Sequence, residues 1–249
     1  MRFKSFIAFC GLLALIGCGG GGGGTPVEVI EETHDNGAKR KVVTYVGQRS
    51  NVVRTTFYSA DGNMMSDQFF KNGQPDSLKT IYFPDGSINQ QTNFSKGERH
   101  GTDKSWFQGG QLKSEGSYEE GRAVGKFVSY YEDGAIAQEI NYQNGQKHGE
   151  EIYYYANGQR SRVRNFVNGN QEGEDIEYFD DGKIKSEHLY SNNVLNGPYT
   201  IYHRNGRVQE SGAYLNGQYH GDRLAFEANG RRKSRAVYDN GTMTFGEFF

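Results

Sequence analysis

An aromatic side chain stands at every twelfth position from residue 58 to residue 238. The series runs Tyr58, Phe70, Tyr82, Phe94, Trp106, Tyr118, Tyr130, Tyr142, and continues Tyr154, Phe166, Tyr178, Tyr190, Tyr202, Tyr214, Phe226, Tyr238. A chain that is 14% aromatic overall does not fill all sixteen slots by chance. Self-similarity at a fixed short period marks a repeat architecture, so any function has to be sought on a repeated surface.

Glycine refines the period. Turn glycines from Gly62 to Gly241 fall at gaps that alternate between 11 and 13 residues, which makes the true unit 24 residues. One slot lacks glycine and holds Asn193, a residue that also tolerates a left-handed backbone. The preceding residue is mostly Asn or Asp, as in Asp85-Gly86, Asn144-Gly145 and Asp181-Gly182. Such dipeptides favour the positive-φ turns that match strand twist and are a strong hairpin signal. The expected fold is therefore all-β: an elongated single-sheet antiparallel meander of tandem 24-residue hairpins. At about 4.8 Å per strand, sixteen strands give a sheet on the order of 75 Å long. A mean hydropathy of −0.80 agrees with a quasi-one-dimensional stack, which needs less core than a two-layer domain.

A second glycine follows alternate turns by four residues, at Gly101, Gly125, Gly149, Gly173, Gly197 and Gly221. The segments Tyr142 to Gly149 and Tyr214 to Gly221 show the full pattern of aromatic, turn glycine and second glycine. With these residues the chain resembles the MORN repeat, in its bacterial variant form, over roughly residues 50 to 245. It lacks most of the second glycine of the GxG pair found in eukaryotic units. The resemblance implies a repeat scaffold that recruits a partner, and some members of the variant family are described as antitoxin-like.

The N-terminus points to a compartment. Met1 to Lys4 is positively charged, Phe6 to Ile16 is apolar, and Leu15-Ile16-Gly17-Cys18 has the form of a lipobox. Eleven apolar residues are too few for a permanent span and read as a signal peptide covering residues 1–17. The segment resembles a bacterial lipoprotein signal, which implies lipid attachment at Cys18. Gly19 lacks the aspartate that retains lipoproteins in the inner membrane, so the resemblance favours the outer membrane. Residues 18–26, with six consecutive glycines, form a tether with a reach of roughly 14 Å. Residues 27–49 read as a degenerate capping hairpin and residues 50–249 as about eight repeat units, with Phe245 to Phe249 as the last strand.

Chemistry is hard to place on this frame. His100, His148 and His220 share one repeat slot, filled elsewhere by Val124, Glu172 and Asn196, and lie too far apart to share a metal. The carboxylate pairs Glu119-Glu120, Glu150-Glu151 and Asp180-Asp181 lie at turns and strand starts, where solvated charge is normal. No nucleophile elbow, phosphate loop or HExxH motif is present, so no catalytic residue, metal or cofactor is expected. Loss of Arg2 and Lys4 with the leader moves the formal charge from −2 to −4, which disfavours nucleic acid as a partner.

A second aromatic row offers a binding surface. Phe83, Phe107, Tyr131, Tyr155 and Phe179 each follow a member of the first row, so alternation places them on the other face. Two-residue turns would pair Phe83 with Ile88, Phe107 with Leu112, Tyr131 with Ile136, Tyr155 with Arg160 and Phe179 with Ile184. The expected result is an apolar band on the order of 40 Å long that docks a protein partner or a glycan. A common face for the first row requires one further device. Phe70 and Tyr82 would lie on opposite faces under strict alternation, so a one-residue bulge is expected at each second glycine.

Overall fold

The structure, a computed structural model, describes residues 24–249. The leader, Cys18 and most of the glycine run lie outside the described residues. Among the described residues there are 21 strands and no helix, and the strands form antiparallel hairpins in meander order. The chain divides into two compact units, Met1–Arg122 and Ala123–Phe249.

In the first unit eight strands follow one another from Pro26–Thr33 to Leu112–Glu119. Its first hairpin, Pro26–Thr33 with Lys39–Val46, closes on the turn His34 to Ala38. In the second unit the strands run from Arg122–Tyr130 to Thr242–Phe248. Two of them, Val194–Leu195 and Gln218–Tyr219, are stubs cut off where Asn196 and His220 donate back to Leu189 and Ala213.

Two turn types alternate, and each has its own cause. In the first, Lys71 pairs with Gln74 across Asn72 (φ 52°) and Gly73 (φ 75°). Two consecutive positive φ values define the two-residue loop whose twist suits a hairpin. The Asn192-Asn193 turn has the same form without glycine, at φ 49° and 67°. The second type is a three-residue loop. The Gly86 N–H donates to Phe83 O at 2.9 Å, and the Phe83 N–H donates to Ser87 O at 2.8 Å. This is a type I turn closed by a glycine at φ 85°, with Pro84 at the position where a fixed negative φ fits.

The second turn type corrects the expected pairing. Ile88 pairs with Tyr82, Leu112 with Trp106, Ile136 with Tyr130, Arg160 with Tyr154 and Ile184 with Tyr178. Phe83, Phe107, Tyr131, Tyr155 and Phe179 instead open the turns. A one-residue register shift accompanies each, as between Ile81 and Tyr82 just before Phe83.

The bulges at the second glycine are present but larger than expected. Thr92 pairs with Asp103 and Phe94 with Arg99, so residues 100–102 face Asn93 alone. Gly101 sits there at φ 89°, and the Asn93 amide donates to Thr102 O at 3.1 Å. The same two-residue displacement recurs around Gly149 and Gly173. Displacement by two preserves side-chain parity, whereas displacement by one reverses it. The expected common face is therefore not restored. Tyr153 and Phe166 both lie under the Arg164 guanidinium, at 5.3 and 5.5 Å, whereas Tyr154 reaches Glu139 on the other side at 3.3 Å. Within each unit the aromatics of the series alternate between the two faces.

Little of the buried material is aliphatic. Val42, Val43, Ile152 and Val163 are buried, but so are Thr56, Asp67, Thr80, Thr92, Glu151, Gln171 and Asp175. Side chains on a sheet face are shielded by neighbours on adjacent strands, and polar ones survive burial when they bond one another. Thr56 and Arg54 both donate to Asp67, at 2.9 and 2.7 Å.

Candidate functional site

The second-row residues open turns, Phe83 and Phe107 in the first unit and Tyr131, Tyr155 and Phe179 in the second, and two of them are bound into the scaffold. The Tyr131 hydroxyl donates to Tyr154 O at 2.6 Å, and the Tyr155 hydroxyl donates to Tyr178 O at 2.7 Å. His203 and His34 make the equivalent contact with Phe226 O and Tyr58 O, at 3.0 and 2.9 Å. Each ties one turn to the next hairpin. Asn36, Asn157 and Asn205 add amide bonds to the carbonyls of Ala60, Asp180 and Ala228. Phe107 and Phe179 carry cations over their rings, Lys113 at 5.5 Å and Arg204 at 5.0 Å.

Ile88, Leu112, Ile136 and Ile184 share a face with their actual partners in the first row, since directly paired residues do. Tyr155, by contrast, lines the same cleft as Tyr153, on the opposite face from Tyr154. The expected apolar band is thus divided between the two sides. Its members are half-buried apart from Ile136, which is exposed.

The most heavily built site lies on the Tyr153 face of the second unit. Glu151 has no exposed surface. Its Oε1 accepts from Lys147 Nζ at 2.6 Å, Gln138 Nε2 at 3.1 Å and Tyr153 Oη at 3.3 Å, and its Oε2 pairs with Arg164. Asp175, 2% exposed, receives Arg162 through Nε at 2.7 Å and Nη2 at 2.6 Å, and Gln171 at 2.8 Å. The Asp175 hydrogen bonds hold the Arg162 guanidinium pKa above its ordinary value. The expectation that Glu150-Glu151 is simply solvated charge fails for Glu151. The second residue of the pair faces the neighbouring strand, where Arg164 lies directly opposite.

An aromatic cluster continues on the same unit. The rings of Tyr199 and Tyr214 lie 5.0 Å apart, Tyr214 and Tyr219 4.7 Å, and Tyr219 and Tyr238 5.2 Å. His188 stacks on Tyr199 at 5.6 Å, and burial pushes its pKa down. Tyr199 lies against Gly212, where a Cβ would come within 2.8 Å of the ring. Its hydroxyl donates to Glu210 at 2.6 Å, and Arg223 grips the same carboxylate at 2.9 and 2.7 Å. Burial pushes the Glu210 carboxyl up, but the Arg223 and Tyr199 bonds outweigh it and leave it below the usual range.

Among the described residues no three His, Cys, Asp or Glu side chains come together in a metal-binding arrangement. His220 faces Asp239 at 3.7 Å, and His148 stands near the Asn168 amide. The Arg162 and Arg164 pair belongs to no motif that the sequence displays on its own. Its signal is comparative, because arginines at those two repeat slots break the pattern of the other units.

No curated protein matches the chain. Among solved structures, a crystal structure of TcdB2-TccC3-TEV aligns at 11% identity and TM-score 0.22 over 86% of this chain. The chain spans only 14% of that one's length. A porin-like protein from Bacteroides uniformis ATCC 8492 aligns at 11% identity and TM-score 0.21, covering 89% of this chain and 92% of that one. The family described as MORN repeat variant matches at residues 99–120, 123–144, 147–168 and 171–192. Each match begins after a two-residue turn and contains one three-residue turn between two strands. Residues 99–192 thus contain four tandem segments similar to the MORN repeat variant.

Proposed function

We propose that this chain is a non-catalytic repeat scaffold that binds a protein partner in the bacterial envelope, held at the outer membrane by a lipid on Cys18. The MORN-variant repeats support the scaffold reading. One observation carries it furthest. Tyr131 and Tyr155 bind successive turns to one another at a 24-residue spacing, which gives a surface of fixed pitch without a second layer. Rigid presentation reduces the entropy lost when a partner docks. The charge and motif content of the sequence agree with recognition in place of turnover.

Photo-crosslinkers placed singly at Phe107, Ile136 and Lys185, followed by mass spectrometry, test this in cells. One envelope protein captured in stoichiometric yield from at least one of these positions is the expected result. Capture from none of them, or a measurable turnover in the purified chain, overturns the reading. Cys18→Ala should abolish labelling by a palmitate analogue and move the protein out of the membrane fraction. An unlabelled wild-type protein would remove the anchor from the proposal.

A further inference from the structure

The strand Arg160–Val167 departs from every equivalent strand. At the slot of Arg162 the other units carry Ser, Gln or Glu, from Ser66 to Ser234. At the slot of Arg164 they carry small, polar or aliphatic residues or His188. The fold does not need ions here, since Thr92 and Gln90 fill the same slots around Asp103 with neutral hydrogen bonds. Glu210 and Arg223 fill the slots of Arg162 and Asp175 with the charges exchanged, so ion pairs recur in this frame, but only the strand Arg160–Val167 carries two arginines side by side on one face.

That repeat borders a cleft of about 330 Å³, lined among others by Tyr153, Tyr155, Ser161, Arg162, Glu177 and Lys185. Its cations are already matched. Arg162 holds Asp175 and lies 3.7 Å from Glu177, and Lys185 meets Glu177 at 3.0 Å. A free anion or an acidic peptide would have to compete with these carboxylates. The wall instead offers fixed donors (Arg162, Lys185), a fixed acceptor (Glu177), a hydroxyl that does both (Ser161) and two tyrosine rings. A pyranose ring is the matching chemistry: an uncharged rim of hydroxyls that donate and accept, around an apolar C–H face that an aromatic ring covers.

We propose that this cleft is a saccharide subsite that takes one neutral pyranose unit. The site goes beyond the protein-scaffold reading and does not depend on it, so crosslinking to a partner and sugar binding can fail separately.

Titration of the isotope-labelled full chain, in detergent, with methyl β-glucoside and with methyl β-glucuronide tests it by NMR. The glucoside should shift amides in residues 153–164 and 177–185 saturably, and the glucuronide should bind more weakly. A β-linked oligosaccharide in a second arm separates recognition within a glycan chain from recognition of a free sugar. Ser161→Trp, which fills the cleft without touching the ion pairs, should weaken binding at least about tenfold. If that variant does not fold, the shift map of the wild-type chain decides alone. Absence of saturable shifts, shifts elsewhere in the molecule, tighter binding of the glucuronide, or unaltered binding by folded Ser161→Trp overturns the proposal.

Discussion

The strands around Asp103 and those around Asp175 occupy the same repeat slots with opposite chemistries. In the first unit Asp103 is met by Gln90 Nε2 at 3.2 Å and Thr92 Oγ1 at 2.8 Å. In the second, Asp175 is met by the fork of Arg162, and Glu151 beside it by Arg164 and Lys147. Both sets share one backbone register, displaced by two residues at the neighbouring glycine. The backbone is therefore specified by turns and bulges, and the interior slots remain free to vary. One repeat can be neutral and another ionic without change of fold.

The sharpest way to break this comparison is to remove one charge from the ionic side. Glu151→Leu leaves Arg164 buried without its partner and should lower stability by about 3–5 kcal/mol in chemical denaturation. Asp103→Asn, its neutral-side counterpart, should lower it by only about 1–2 kcal/mol. Similar losses for the two variants would show that the ionic repeat is no different energetically. The double variant Glu151→Leu with Arg164→Met should recover most of the loss, read as a coupling in the double-mutant cycle.

The bulge slot gives a paired test of the backbone. A methyl added at Gly149 (φ 86°) would meet only the Asn141 Cβ, at 4.0 Å, so Gly149→Ala isolates the left-handed strain. A loss of about 1–2 kcal/mol is expected. In the first unit Ser77 occupies the same slot at φ 73°, and Ser77→Gly should stabilise by about 1 kcal/mol. Equal signs for the two variants would refute a common backbone requirement. Tyr155→Phe removes the bond to Tyr178 O and should cost about 0.5–1.5 kcal/mol in the same assay.

The smallest effect concerns pH. Burial lowers the His188 pKa from 6.5, so the folded state favours the neutral ring. Its contribution is present above pH 6.5 and is lost as pH falls below that value, because the unfolded chain then binds the proton more readily. His188→Gln should flatten the melting temperature over that window while leaving the slope above it unchanged. A slope that persists unchanged in the variant would assign the effect to other groups.

The hairpin repeat was legible because its positive-φ positions favour glycine or asparagine, which fill most of them, with Lys96 and Glu120 among the exceptions. Which face each aromatic takes was not legible. Glycine marks a bulge at Gly101 or Gly149 but does not say whether the bulge adds one residue or two, and parity depends on that number. The pairing of Ile88 failed for a related reason: Asp85-Gly86 suits both turn types, and only Pro84 before it favours the longer one. Of the site, the ring at 155 was visible as part of a pattern, whereas Tyr153 belongs to neither aromatic series. Arg162 and Arg164 stand out only when each unit is laid over the others and its exceptions are read.

The alternation of a two-residue turn at Asn144-Gly145 with a three-residue turn at Tyr155 to Gln159 also sets the grain of this protein's evolution. A cut or duplication of twelve residues would join like turns and reverse the row that Tyr131 and Tyr155 hold together. A step of 24 residues restores both. Lineages that lengthen or shorten such a chain must do so in whole hairpins, as beads are added to a string.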